Sequence, residues 1–262
     1  MRRLTKLKLG LFSAILLLSL SGHAKETIRL TNGEWLPFLS ESLEHNGILS
    51  HIVSEAFDQV GIEVEYGFFP WKRAMYVAQQ EEWEGSIGWV KTPERLENFY
   101  FSESIYHNTT VFFSLKETGF DWYPSEKLAG QTIGVLEGTF IEGEMKKLKE
   151  SGVDLTYQPV TTDLQNFKKL KTGRIDALMT NKQVGLYIIN NDFPAESESE
   201  FSIHPNPYNS SDLHLILDRT SSQGKEHIEK FNQGLMKLKK SGRLQQMWED
   251  FRLGKYGTIV NK

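Results

Sequence analysis

The sequence predicts an α/β protein of two lobes, each a mostly parallel sheet flanked by helices, with a two-strand hinge between them. Three observations predict it. From Thr27 onward, short β-rich runs alternate with helical runs, which is the pattern of α/β layers around parallel sheets. Two longer β-rich runs, TTVFFSLKE at 109–117 and SSDLHLILDR at 210–219, interrupt that alternation. The segment between them carries a strand–helix alternation of its own. The chain is therefore expected to leave one lobe near residue 113, build the second, and return near residue 210, so that two crossings lie side by side as a hinge.

The elements follow in order. TIRL is a strand. ILSHIVSEAFDQVG places Ile52, Ala56 and Val60 on one helical face, with Gly61 as the stop. IEVEYGF alternates apolar and polar residues and reads as a strand. WKRAMYVAQQEEW is expected to be one helix and SIGWV a strand. Thr92 is a good helix cap and Pro93 suits a first helical position, so a short helix begins there. In the second lobe TIGVL, DLTYQPV and IDALM are strands, while IEGEMKKLKESG and LQNFKKLKTG are helices. HIEKFNQGLMKLKKSG and RLQQMWEDFRLG close the chain as two helices. The lysine clusters 146–149 and 168–171 are solvated helix faces.

The N-terminus has a different character. Arg2, Arg3, Lys6 and Lys8 precede an apolar run from Leu9 to Leu20, and Gly22-His23-Ala24 offers small residues for cleavage. This is the three-part pattern of a secretory signal peptide, residues 1–24. Its apolar core falls short of the roughly 20 residues that span a bilayer. Cleavage removes four of the 30 Lys and Arg and none of the 34 Asp and Glu, leaving a net charge of −8. An acidic exported protein is a poor partner for nucleic acid. The absence of cysteine suits an oxidising compartment and excludes thiol catalysis and thiolate metal sites. The expected domains are 25–113 with 211–262 as the first lobe and 114–210 as the second.

The sequence contains no GxSxG, HExxH, Walker, GxGxxG or EF-hand pattern, and the histidines are scattered without ligand spacing. No catalytic residue, cofactor or metal site is expected. What converges instead are strand ends, beyond which ligands bind in α/β sheets. Trp35 follows the first strand, Trp71 the second, and Trp89 lies in the third, shortly before Arg95. Arg95 falls in the first turn of a helix, where the helix dipole disfavours a cation. It is either solvated or matched by an anion, and beside three tryptophans it suggests a slot with an anion hook. In the second lobe TIGVL ends in Glu137-Gly138-Thr139-Phe140 just ahead of a helix. Free N–H groups there suit a carboxylate, and Gly138 permits close approach. Arg73 is a second candidate anion contact, with Glu84 as its alternative partner.

GEWLPF, NGILSHIVSEAFDQVG, TPERLENFYFSESIY, LAGQTIGVLEGTF, LKTGRIDALMTN and FNQGLMKLKKSGRLQQMWEDF together resemble the bacterial extracellular solute-binding proteins of family 3, the type II periplasmic binding proteins. The resemblance implies a periplasmic, monomeric, non-enzymatic protein. It would close on a small anionic or zwitterionic solute and deliver it to an ABC-type membrane permease or a membrane receptor. It also implies that Arg95 grips a ligand carboxylate, that Thr139 donates its backbone N–H to the same group, and that Trp71 packs on the ligand side chain. One departure stands out. Where the family usually has an aspartate for the ligand's α-amino group, this chain has Asn181. Either the ligand lacks a free α-amino group, or its amine is held elsewhere, by Glu34 or by the tryptophan faces; the first is the expectation. An enzyme on the same fold, resembling cyclohexadienyl dehydratase with Glu34 or Glu137 as the cleft acid, is the rival reading, and a ligand-sensing subunit is a third.

Overall fold

A computed structural model describes residues 25–257; the expected signal peptide, residues 1–24, lies outside them. The first lobe opens with β1 (Glu26–Asn32), α1 (Ile48–Asp58), β2 (Ile62–Phe68), α2 (Trp71–Val77), β3 (Gly85–Val90), α3 (Pro93–Asn98) and β4 (Phe99–Phe101). The long strand β5 (Tyr106–Leu115) leads out of it. Then come β6 (Thr132–Leu136), α4 (Phe140–Glu150), β7 (Thr156–Val160), α5 (Asp163–Lys171), β8 (Ala177–Asn181), α6 (Lys182–Asp192) and β9 (Phe201–Ile203). The long strand β10 (Asn209–Asp218) returns, and α7 (Gly224–Lys240) and α8 (Arg243–Arg252) follow.

The strand order is β2-β1-β3-β10-β5-β8-β6-β7. The outer wings, β2-β1-β3 and β8-β6-β7, are parallel, as strands joined by crossover helices must be. The middle is antiparallel. Asn209–Leu213 of β10 pairs with Tyr106–Thr110 of β5, while the rest of β10 pairs with β3 and β4 and the rest of β5 with β8 and β9. Each long strand thus belongs to both wings, and the β5–β10 pair is the two-strand connection between lobes.

Strand alternation sorts the core. On β5, Phe112 and Phe113 point to opposite faces, and each joins a different apolar cluster. Phe113 meets Phe167 of α5 with ring centroids 5.2 Å apart. Phe112 packs with Trp122, Ile133, Val135 and Met179 beneath α4. In the first lobe Ile52, Val53, Ala56 and Phe57 of α1 are fully buried, with Phe57 5.3 Å from Phe231 of α7.

Two elements differ from the sequence expectation. The helix expected over 71–83 stops at Val77, and the chain folds back so that Trp83 lies on the backbone of β2. A Cβ at Gly67 would be 2.2 Å from the Trp83 ring, and Arg29 lies 4.6 Å over the same indole. Packing that ring against β2 outweighs the helical propensity of Ala78-Gln79-Gln80. The strand expected at 175–179 runs instead from Ala177 to Asn181, which makes Asn181 the cap of α6.

Candidate functional site

A partly open cavity lies between the lobes at the carboxyl ends of the parallel strands. Trp35, Trp71, Trp89 and Arg95 line it from the first lobe, and Thr139, Phe140, Asp163 and Asn181 from the second. Asn108, Thr110 and Leu213 of the connecting strands form part of its wall.

Arg95 is set by its own helix. The Thr92 hydroxyl accepts from the Arg95 backbone N–H at 3.3 Å and fixes the first turn of α3. The guanidinium then turns back over Trp89, 4.8 Å from the ring centroid, and Nη1 donates to the Val90 carbonyl at 2.9 Å. Nη2 reaches the Gly138 carbonyl of the second lobe at 3.4 Å. Burial pushes the group down to about 10, against a smaller upward pull from Glu94, so it remains a cation at neutral pH. Arg95 makes no ion pair among the described residues.

The tryptophans are core and wall at once. Trp71 is 6% exposed and Trp89 2%, and their rings meet edge to face at 5.3 Å. Trp35 meets Trp71 edge to face at 6.5 Å. Neither the Trp71 nor the Trp89 indole N–H has an acceptor among the described residues. Such buried donors are costly unless something in the cavity accepts from them.

Gly138 lies outside the main lining but at the seam of the lobes. Its φ is +75°, and a Cβ would meet the Lys72 Cα at 2.7 Å, so only glycine allows this approach. Its N–H donates to Glu142 at 2.7 Å, and the Thr139 N–H makes a long contact of 3.4 Å to the Leu136 carbonyl. Arg73 does not reach the cavity. Its guanidinium stands 5.5 Å over Phe69, and the alternative pairing with Glu84 does not form, because Glu84 accepts from His227 at 2.9 Å. The two acids considered for a cleft enzyme are also outside the lining. Glu34 accepts from the Glu41 N–H at 3.0 Å, and Glu137 pairs with Lys72 at 2.8 Å.

Asn181 lines the cavity with its amide already engaged. Oδ1 accepts from the N–H groups of Gln183 and Val184, at 2.7 and 3.1 Å, capping α6. Nδ2 donates to Asn108 Oδ1 at 2.7 Å and to the Tyr106 hydroxyl at 3.3 Å.

The polar wall residues outside the sequence candidates are Asn108, Thr110, Thr180 and Asp163. Asp163 is the most informative. It begins α5 just after β7, is 7% exposed, and its Oδ1 has no partner. Burial pushes its carboxyl up to about 7, although the Thr180 hydroxyl donates to it. The signal was present in the sequence, because TTD follows TYQPV at another strand end of the second lobe. Among the described residues no cluster of His, Asp or Glu is arranged to hold a metal ion, and no helix is long and apolar enough to cross a membrane.

The model of bacterial extracellular solute-binding proteins, family 3, matches residues 30–254. No curated protein matches the sequence. Among solved structures, an ancestral arginine-binding protein bound to arginine is 21% identical at a TM-score of 0.72, over 87% of this chain and 99% of that one. The amino acid ABC transporter substrate-binding protein AbpA of Streptococcus pneumoniae, bound to L-arginine, is 19% identical at 0.71, over 86% of this chain and 93% of that one. An ancestral amino acid-binding protein described as a precursor of cyclohexadienyl dehydratase is 18% identical at 0.68, over 86% and 94%. At these identities the likeness establishes the two-lobe fold.

Proposed function

The chain belongs to the bacterial extracellular solute-binding proteins, family 3, and from that premise we propose that it closes its lobes around a small anionic or zwitterionic, amino-acid-like solute. The closed form is then presented to the permease of an ABC-type transporter or to a membrane receptor. The lobes are residues 25–113 with 211–262, and 114–210. The protein works as a periplasmic monomer after loss of residues 1–24. The observation that carries the reading is Arg95, a half-buried cation without an anionic partner among the described residues, at the wall of an interlobe cavity. A ligand carboxylate would supply the missing charge through a paired, charge-assisted contact. With burial of apolar ligand surface against Trp71 and Trp89, this supports affinities near micromolar, about −8 kcal/mol. The test is a thermal-shift screen of small carboxylates and amino acids on wild type and Arg95→Ala. Stabilisation of the wild type that disappears in the variant supports the reading.

A second reading rests on Asp163. A carboxyl held near neutrality in a cavity is suited to general acid catalysis. One structural neighbour is described as a dehydratase precursor. Incubation with prephenate or arogenate, monitored for an aromatic product, separates turnover from binding.

A further inference from the structure

We infer that Asp163 receives an ammonium group of the bound solute, the role that Asn181 lacks the charge to perform. The inference rests on the solute-binding reading and deepens it. Arg95 and Asp163 are the two ionisable side chains among the residues lining the cavity. They have opposite signs, come from opposite lobes, and form no ion pair with each other. A simple carboxylate would neutralise Arg95 but leave the buried Asp163 carboxyl without a cationic partner. A solute carrying both charges matches both walls, and the filled cavity is then neutral.

The geometry favours Asp163 over the other possible ammonium partners. Asp163 borders the cavity and its buried Oδ1 has no partner among the described residues, and an ammonium is a donor with three N–H bonds. Asn181 has both ends of its amide engaged within the protein. Glu34 and Glu137 hold contacts away from the cavity. Closing the lobes would bring a solute held by Arg95 against Asp163, which makes the acid a sensor of the second charge.

The same lining limits the rest of the solute. Among the described residues no second acid borders the cavity, and its remaining wall is largely tryptophan, phenylalanine, leucine and valine. A basic side chain would be buried without a counter-charge. The solute class is therefore a zwitterion with an uncharged, apolar or aromatic remainder.

The experiment is calorimetric titration of the purified protein with the neutral L-amino acids, their N-acetyl derivatives and their C-terminal amides. The expected result is binding of at least one free amino acid, with its N-acetyl and amide forms each weaker by about 10- to 100-fold. Asp163→Asn should lose a similar factor for the free amino acid while melting no lower than wild type without ligand. The derivative comparison needs no variant and stands even if that variant folds poorly. If N-acetyl amino acids or simple carboxylates bind wild type as tightly as free amino acids, the Asp163 role is wrong and the anion-binding reading survives. Equal affinity of wild type and Asp163→Asn for a free amino acid also overturns it. If neither zwitterions nor carboxylates bind, both readings fall.

Discussion

Lys72 Nζ and Glu137 Oε1 lie 2.8 Å apart and join α2 of the first lobe to the loop before α4 of the second. The contact crosses the cleft beside Gly138, whose backbone rests against that of Lys72. The pair is largely open to water, so it contributes little to folding. In the proposed closure of the lobes it would favour the closed form.

Lys72→Ala should therefore weaken solute binding by only about two- to fivefold, and the difference should shrink as salt rises. Gly138→Ala should be far more damaging. Its Cβ has no space against Lys72, and the left-handed backbone costs an L-residue roughly 1–2 kcal/mol. Titration of both variants checks the ranking; a weaker effect for Gly138→Ala than for Lys72→Ala would contradict it.

Asn181 is expected to matter first for stability. Asn181→Ala removes the cap of α6 and leaves Asn108 without its donor, a loss of about 1–3 kcal/mol. Asn181→Asp keeps the cap but sets a carboxylate oxygen against Asn108 Oδ1. Both variants should melt below wild type in the absence of solute. Unchanged melting of both would show that the contacts are dispensable.

His227 gives the fold a pH dependence of definite sign. Its side chain is 1% exposed and donates to Glu84 and Glu26 at 2.9 Å each. Burial pulls its pKa down, but the hydrogen bonds and charges of the two carboxylates outweigh it and raise it above 6.5. Its stabilisation is thus fully present below the unfolded pKa of about 6.5 and is lost as pH rises through the higher folded value. Glu26, hydrogen-bonded to His227 and Lys230, is shifted down, so its contribution is lost only at acid pH. Melting temperature should fall above about pH 6.5 in wild type, and His227→Gln should flatten that limb. A wild-type profile that rises over the same range would contradict the assignment.

Much of this was legible in the sequence where chemistry is local. Thr92-Pro93 gave the start of α3 and hence the position of Arg95. IEVEYGF matches β2 residue for residue because its alternation and its flanking glycine are local signals. The role of Asn181 was not legible, because its donor contact is to Asn108, 73 residues earlier, on a strand whose register depends on the whole sheet. TTD after TYQPV marks Asp163 as a residue at a strand end and no more. Only the docking of α5 beneath β8 shows that its carboxylate is buried and borders the cavity. Arg73 and Glu84 were plausible partners by proximity in sequence, but His227 arrives from α7 to take the glutamate.

The central claim is that Arg95 binds the anionic end of a solute. The most direct measurement is native mass spectrometry of the purified protein to identify a co-purifying solute, followed by calorimetry of that solute on wild type and Arg95→Ala. The account predicts a small molecule bearing a carboxylate or comparable anion, with affinity at least about tenfold weaker in the variant at an unchanged melting temperature. A bound solute without an anionic group, or equal affinity for the two proteins, would contradict it.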